Sequence, residues 1–267
     1  MPPREEFVRK IKGPVHGILF YRDAVEKWGT LNEFVKAGIN RGERVIYVAG
    51  EEPPERIREV MLHYDLDIME VEREGQLKIM NYDKVYIVDS KVEIPKILKR
   101  WKIAFEEALE VGFRGLRVCG EVGCFFTNNL VEELIEYEKA IGRKPKFPME
   151  ALCVYSLHRL DFLKETSIYE IVKSHGCIIS PSFAGEVAFE SLYLQTAYKK
   201  LEEIFKEKTA EAILNFIKTN YSMGDTVSVD RVKGLYSLLK NLLGSRAADI
   251  IDQQIWRKIC QELGVII

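Results

Sequence analysis

Short apolar runs alternate with helix-period stretches through the first two thirds of the chain, and this alternation restricts the fold more than any other feature. The runs predict strands at His16–Tyr21, Arg44–Ala49, Leu77–Asn81, Leu116–Cys119, Ala151–Tyr155 and Cys177–Ser180. The stretches between them predict helices at Ala24–Ile39, Pro54–Tyr64, Ile94–Val111, Asn129–Ile141 and Leu160–Ser174. A further short strand is predicted at Tyr86–Val88. This order is typical of an α/β fold, a mostly parallel sheet with flanking helices.

The pattern changes from Gly185 onward, where helix-period stretches follow one another. The predicted helices are Gly185–Lys208, Thr209–Asn220, Val229–Leu243 and Arg246–Leu263. A turn is predicted at Ser222–Asp225, and Gly244-Ser245 marks a break before the last helix. We therefore predict two domains, an α/β domain over residues 1–207 and a small all-α C-terminal domain over residues 208–267.

The turn after the first predicted strand lacks the residues that bind nucleotide phosphates. A phosphate loop carries spaced glycines followed by Lys-Ser or Lys-Thr, so that backbone N–H groups surround the phosphates. Here Asp23 and Glu26 stand where phosphate would bind, and a glycine comes only at Gly29. For a domain of nucleotide-binding type, the sequence therefore favours a binding or sensing role over that of an ATPase.

The net charge, the apolar runs and the cysteines of the sequence limit which kinds of binding partner and bound ion we expect. The net charge of −2 gives no broad electrostatic surface for DNA or membrane. No apolar run approaches the ~20 residues of a membrane span. The charged start has no signal-peptide core, so we expect a cytoplasmic protein without a membrane partner. The five cysteines lack CxxC spacing, which favours reduced, buried thiols over a structural zinc site.

Polar side chains follow the predicted strands at the edge where parallel sheets bind ligands. Tyr21 ends the first strand, Glu121 follows the fourth and Tyr155 closes the fifth. A carboxylate and two phenols around an apolar floor suit a small polar or amphipathic molecule. Other polar groups expected at this edge are Asp23, Glu51, Glu52, Ser156, Ser180 and Ser182. The alternative is that these are ordinary polar residues of loops.

Arg117 lies inside an apolar strand, so its guanidinium must be paired or must reach solvent. Glu121 and Glu138 are the predicted partners for a structural ion pair. The alternative is that Arg117 anchors an anionic ligand or couples the pocket to a helix.

Two histidines, His16 and His175, adjoin predicted strands, and each is expected to be a buried ring that donates to the backbone. A metal site built from these two and Cys153 is an alternative that no ligand spacing supports. A nucleophilic pair of Cys153 and His158 is a further alternative, but nothing in the sequence orients that histidine. The sequence therefore predicts no metal ion and no cofactor.

Six short motifs occur in an order that resembles one known family. They are HGILFY from His16, GINRGERVIY from Gly38, GLRVCGE from Gly115, EYE from Glu136, ALCVY from Ala151 and KSHGCII from Lys173. This set resembles the MEDS domain, the methanogen/methylotroph sensory domain, over roughly residues 10–185. The sequence departs from the family pattern at Ser156, where an acidic residue is expected, and at Gly176, where proline is usual.

The resemblance implies a RecA-like fold, related to the KaiC-type ATPases but without their phosphate loop. It also implies sensing of small hydrocarbon derivatives in signalling proteins and transcription regulators. The motif positions that it assigns to ligand binding are His16, Tyr21, Arg117, Glu121, Cys153, Tyr155 and His175. We assign two further motif positions, Tyr137 and Glu138, to structure or coupling.

Together these observations predict a non-catalytic sensor or regulator. A small organic ligand is expected at the carboxyl edge of the sheet. The helical C-terminal domain is expected to pass ligand occupancy to a signalling or DNA-binding partner, or to a second copy of the chain. Two alternatives stay open: a degenerate KaiC-type nucleotide-binding protein or ATPase, and an oligomeric scaffold or DNA-associated regulator without a small-molecule ligand.

Overall fold

A computed structural model describes residues 3–64, 66–220 and 227–266. The chain divides into two compact units, Met1–Glu186 and Val187–Ile267. This division differs from the predicted one after residue 207, because the long helix that begins at Phe189 packs against the helices that follow it. The predicted turn at Ser222–Asp225 lies outside the described residues.

The first unit contains a seven-stranded sheet. Its strands are β1 Val15–Tyr21, β2 Arg44–Ala49, β3 Leu77–Asn81, β4 Leu116–Glu121, β5 Met149–Ser156, β6 Cys177–Ile179 and β7 Ala184–Glu186. They lie in the order β3-β2-β4-β5-β1-β6-β7, and all neighbours are parallel except β6 and β7. The segment Tyr86–Val88, predicted as a strand, forms only an isolated bridge from Val88 to Lys91.

Helices cover both faces of this sheet. They are α1 Arg4–Lys10, α2 Ala24–Asn40, α3 Pro54–Leu62, α4 Ile68–Arg73, α5 Ile94–Glu110, α6 Gly123–Thr127, α7 Val131–Ile141, α8 Leu157–Leu160 and α9 Glu165–Lys173, with a 3₁₀ turn at Tyr82–Lys84. One core joins α1–α4 to alternate strand residues such as Leu19 and Tyr47. The intervening residues, such as Phe20 and Tyr155, pack together on the opposite face.

The first strand of the chain lies inside the sheet, between β5 and β6, and β5 separates it from β4. All residues of β2, β4 and β6 are buried, as expected for parallel strands with both faces covered. This is the arrangement of a RecA-like α/β domain, which confirms the predicted fold class.

Helices are the only regular secondary structure among the described residues of the second unit. Its helices are α10 Phe189–Phe205, α11 Glu207–Asn220, α12 Val227–Leu243 and α13 Ser245–Glu262. Tyr193 is buried, its hydroxyl donates to Asp252, and its ring packs on Trp256. Within the part of the chain that the structure describes, no helix has the length and apolar character needed to cross a membrane.

Gly38 lies within α2, in its last turn, since the helix continues to Asn40. A methyl group at Gly38 would lie 2.7 Å from Val45 Cγ2 and 2.9 Å from Arg117 Cδ. At Gly29 of the same helix, the nearest atom to such a methyl is Glu5 Oε1 at 3.7 Å. The first glycine is therefore required for close packing of α2 on the sheet, and the second is not.

We expect Gly38→Ala to destabilise the protein by about 1–3 kcal/mol, since the added methyl overpacks the interface between α2 and the sheet. The matched variant Gly29→Ala should be neutral or stabilise by about 0.5–1 kcal/mol, since alanine is the better helix former. Urea unfolding of both variants measures the difference. Equal effects of the two substitutions would contradict this account of α2 packing.

Candidate functional site

The turn between β1 and α2 is closed by its own carboxylates. Arg22 and Asp23 alone separate the two elements. The Asp23 side chain accepts a 2.9 Å hydrogen bond from the backbone N–H of Glu26. The Glu26 carboxylate accepts one of 2.9 Å from the backbone N–H of Arg22 and one of 3.0 Å from Nε of Arg22. The backbone N–H groups that would bind a phosphate in this turn therefore already donate to the protein's own carboxylates.

A polar network lies at the carboxyl edge of the sheet, on the face that α2 covers. Its members, which we call the edge cluster, are Tyr21 of β1, Lys27 of α2, Tyr47 of β2, Glu51 after β2 and Glu121 of β4. Lys27 Nζ lies 2.6 Å from Glu121 and 3.1 Å from Glu51. Tyr47 donates to Glu121 at 2.7 Å, and Tyr21 donates to Glu51. The backbone N–H of Glu51 donates to Glu121 at 2.8 Å, so the segment after β2 is tied to β4.

In the edge cluster, burial and the neighbouring carboxylates shift the pKa of Lys27 in opposite directions. Burial favours the neutral amine of Lys27, but the charges of Glu121 and Glu51 outweigh it and raise the pKa of Lys27 above its ordinary value. Burial, followed by the charge of Glu51, raises the pKa of the Tyr21 phenol well above its ordinary value. Lys27 therefore stays cationic, and Tyr21 stays a neutral hydrogen-bond donor.

One oxygen of the edge cluster is incompletely bonded. Oε1 of Glu51 is buried and accepts no hydrogen bond from the described residues. Nε of Arg159 lies 3.7 Å from this oxygen. A buried carboxylate oxygen without a donor is costly, so this position favours a donor group of a ligand.

A second group of buried side chains meets on the opposite face of the sheet. Its members, which we call the histidine cluster, are His16 of β1, Glu138 of α7, Cys153 and Tyr155 of β5, and His175 before β6. His16 Nε2 lies 3.2 Å from both Cys153 Sγ and Glu138 Oε2. The same Glu138 oxygen lies 3.5 Å from Cys153 Sγ and 3.6 Å from His175 Nε2. Tyr155 donates its hydroxyl proton to the other oxygen of Glu138.

The protonation states of the histidine cluster follow from its burial. Burial lowers the pKa of His175 to about 3, so its ring is neutral. Burial opposes ionisation of Glu138, but its polar partners, the two imidazoles foremost, hold the pKa of that carboxyl below its ordinary value. Burial and then the charge of Glu138 raise the pKa of the Cys153 thiol well above its ordinary value.

Arg117 is held at the amino end of the sheet, and its partner is Glu43 rather than the predicted Glu121 or Glu138. Its Nε donates to the Glu43 carboxylate at 2.8 Å, and the guanidinium lies over the Phe34 ring. Its terminal nitrogens donate at 3.3 Å to the carbonyls of Phe34 and Ile11. Since Arg117 stands four residues before Glu121 on β4, about 13 Å separates their backbones, and an ion pair between them is out of reach.

Tyr137 lies on α7 beside Glu138 but faces different neighbours. Its hydroxyl accepts a 2.9 Å hydrogen bond from Nε1 of the buried Trp101 of α5. It therefore links α7 to α5 on the face of the histidine cluster. Trp101 also lines an apolar cavity of about 290 Å³ whose lining further includes Leu98, Lys99, Lys102, Ala140, Ile141, Pro145, Lys146, Phe147 and Met149.

The predicted ligand residues thus occupy three separate places. Tyr21 and Glu121 belong to the edge cluster, Arg117 lies with Glu43, and the remaining four lie in the histidine cluster: His16, Cys153, Tyr155 and His175. His158, the alternative partner for Cys153, is exposed on α8.

Lys27 is not among the residues predicted from the sequence, although the spacing of apolar residues in α2 points to it. Lys27 shares the spacing i, i+4, i+7, i+8 with Leu31, Phe34 and Val35, which places it on the buried stripe of α2. A lysine in such a stripe needs a buried anion. Glu43 and Tyr47 lie in the motif GINRGERVIY, but neither was assigned a role from the sequence.

The fold and these networks define a RecA-like α/β domain with charged side chains of its own in the turn after β1 and at the carboxyl edge of its sheet. The chain belongs to the MEDS family: the profile described as "MEthanogen/methylotroph, DcmR Sensory domain" matches residues 15–176, more than half of the 267-residue chain. This membership indicates a sensory or regulatory role.

Among solved structures, the chain is similar to a KaiC-like protein from the hyperthermophilic archaeon Pyrococcus horikoshii OT3. The sequence identity is 13%, the TM-score is 0.44, and the alignment covers 62% of this chain and 70% of that chain. No curated protein matches the sequence.

We expect Lys27→Met to destabilise the fold by about 3–5 kcal/mol, since it leaves Glu51 and Glu121 buried without their shared cation. Adding Glu51→Gln should recover part of this loss, since one of the two unpaired charges is then removed. Urea unfolding of the single and double variants measures both effects. If Lys27→Met lowered the free energy of unfolding by less than about 1 kcal/mol, the ion pairs of Lys27 with Glu51 and Glu121 would contribute no more than exposed ion pairs do.

Proposed function

We propose that this protein is a non-catalytic sensor of a small organic molecule, a hydrocarbon derivative, and that it acts in signalling or transcription control. The observation that carries this proposal is the closed turn after β1. Asp23 and Glu26 take the N–H groups that a phosphate would need, so a nucleoside triphosphate would meet two carboxylates there. The sensory family of the chain supports the same role.

We place the ligand at the edge cluster and assign it a hydrogen-bond donor. Oε1 of Glu51 accepts no hydrogen bond from the described residues, and Tyr21 lies against the other oxygen of the same carboxylate. The carboxylates of Glu51, Glu52 and Glu121 share the ammonium of Lys27. An alcohol or a protonated amine with a short hydrocarbon part would donate to Oε1 of Glu51 in competition with Arg159, whose Nε lies 3.7 Å from that oxygen.

Binding at this place gives a route to a signal. Lys27 bridges α2 to the segment after β2 through Glu51, and that segment is tied to β4 through Glu121. A cationic ligand that binds Glu51 competes with Lys27 for the same carboxylate. The ligand therefore favours a second arrangement of α2 relative to the segment after β2, provided that it binds the two arrangements with unequal affinity. In this proposal, the C-terminal helices pass the change to a signalling or DNA-binding partner.

The test is a thermal-shift screen with methylamine, methanol, formaldehyde and acetate, followed by calorimetry of any hit. We expect an amine or alcohol to raise the melting temperature and Glu51→Gln to weaken its affinity about 10- to 100-fold, the equivalent of one charge-assisted hydrogen bond. Glu59→Gln, which alters an exposed carboxylate of α3, is the matched control and should leave the affinity unchanged.

Two other outcomes have separate meanings. If a hit loses affinity in the Lys102→Ala/Lys146→Ala double variant but not in Glu51→Gln, the ligand binds the cavity beside Trp101 and the edge cluster is not its site. Micromolar binding of Mg²⁺-ATP would overturn the sensor proposal and support the degenerate ATPase instead.

A further inference from the structure

Four electron-pair donors converge in the interior of the histidine cluster. They are Nε2 of His16, Nε2 of His175, Sγ of Cys153 and a carboxylate oxygen of Glu138, and all lie within 4.8 Å of one another. All four residues are buried. His16 lies in β1, Cys153 in β5 and Glu138 in α7, and His175 precedes β6. Only the folded sheet brings these four residues together.

Backbone carbonyls orient both imidazoles towards this point. His16 Nδ1 lies 3.0 Å from the Gly142 carbonyl, and His175 Nδ1 lies 2.7 Å from the Ile171 carbonyl. A carbonyl can only accept, so each Nδ1 carries the proton and donates it. In a neutral ring the lone pair is then on Nε2, the nitrogen that faces Glu138 and Cys153. Histidines that bind metals are commonly fixed by such a hydrogen bond from the other ring nitrogen.

One of these nitrogens has no hydrogen-bond partner. His175 Nε2 is buried and makes no hydrogen bond within the described residues. The atom that it faces is Oε2 of Glu138 at 3.6 Å, which is also an acceptor. Two lone pairs directed at each other inside a protein repel, and a cation between them would convert this repulsion into two bonds.

We propose that His16, Glu138, Cys153 and His175 bind one divalent transition-metal ion, for which zinc is the best match. Bonds of about 2.0–2.3 Å to N, O and S in a tetrahedral site place neighbouring ligand atoms about 3.3–3.8 Å apart. Four of the six separations, 3.2, 3.2, 3.5 and 3.6 Å, lie close to that range. The other two are within 4.8 Å, so metal binding requires those atoms to approach each other by up to about 1 Å. Imidazole and thiolate ligands favour zinc, cobalt or copper over calcium and magnesium.

The charges of such a site balance. The Cys153 thiol loses its proton when the metal–sulfur bond forms, and the proton leaves to solvent. The thiolate and the Glu138 carboxylate then contribute two negative charges, which the divalent ion neutralises, while both imidazoles are neutral. A neutral, fully ligated site is compatible with complete burial, unlike an isolated charge.

Four protein ligands leave no open position, so the geometry assigns the ion a structural role rather than a catalytic one. It would link α7 to the sheet and to the end of α9. Tyr155 is a positioning residue, since its hydroxyl holds the Glu138 oxygen that does not face the metal position. This inference does not rest on the proposed sensory function, because the edge cluster lies on the other face of the sheet.

The first experiment uses wild-type protein unfolded in denaturant with a chelator and refolded with Co²⁺ or Zn²⁺. We expect one ion per chain by elemental analysis. The cobalt form should show a thiolate-to-cobalt charge-transfer band together with the visible bands of a tetrahedral site. The absence of a stoichiometric ion and of the charge-transfer band in refolded wild type would overturn the proposal, whatever the variants do.

Matched cysteine variants locate the ion. Cys153→Ser should lose the charge-transfer band. Cys119→Ser, which alters a buried thiol on the other face of the sheet, should keep it. If Cys153→Ser retains the band, the ion binds elsewhere and the assignment is wrong. Circular dichroism of each variant establishes that it is folded.

A third variant tests the geometry rather than the ligands. Tyr155→Phe removes only the hydroxyl that holds Glu138, and we expect it to keep one ion per chain with an affinity about 10- to 100-fold weaker. Competition with a coloured chelator measures that affinity. An unchanged affinity would contradict the role of Tyr155 in positioning the carboxylate.

Discussion

β1 is hydrogen-bonded along both edges and covered on both faces, so each of its side chains needs a buried partner. Because successive residues of a strand point to opposite faces, His16 and Tyr21 face different layers of helices. Each recruits a carboxylate from another element, Glu138 in α7 for the histidine and Glu51 after β2 for the tyrosine. The two candidate sites are therefore consequences of placing two polar residues on one interior strand.

In both clusters, buried carboxylates need a positively charged partner, and the source of that charge differs between them. In the edge cluster, the carboxylates of Glu51 and Glu121 face the ammonium of Lys27 and, for Glu51, the guanidinium of Arg159, charges that the chain supplies itself. In the histidine cluster, the residues around Glu138 are imidazoles, a thiol and a phenol, and our proposal draws the balancing charge from a bound ion. The domain thus has polar clusters in its interior on both faces of its sheet.

The strands could be predicted from sequence because a parallel strand buried on both faces is a continuous apolar run, as in Arg44–Ala49. The short strand Ala184–Glu186 and the helix Ile68–Arg73 were missed because few residues specify them. Tyr86–Val88 was wrong because its apolar residues pack against helices without pairing into the sheet. The histidine cluster could not be predicted as a unit, since β5 lies beside β1 only through the strand order.

The hydrogen bonds of Arg117 indicate which residues the domain requires in order to fold. Its guanidinium donates to the carbonyl of Ile11, and Val8 of α1 is fully buried in the core beneath α2. Both residues precede the stretch that matches the family, and β6 and β7 follow it. An expressed fragment trimmed to residues 15–176 would lack an acceptor for a buried cation and the last two strands of the sheet. The autonomous folding unit is therefore longer than the segment that homology delimits.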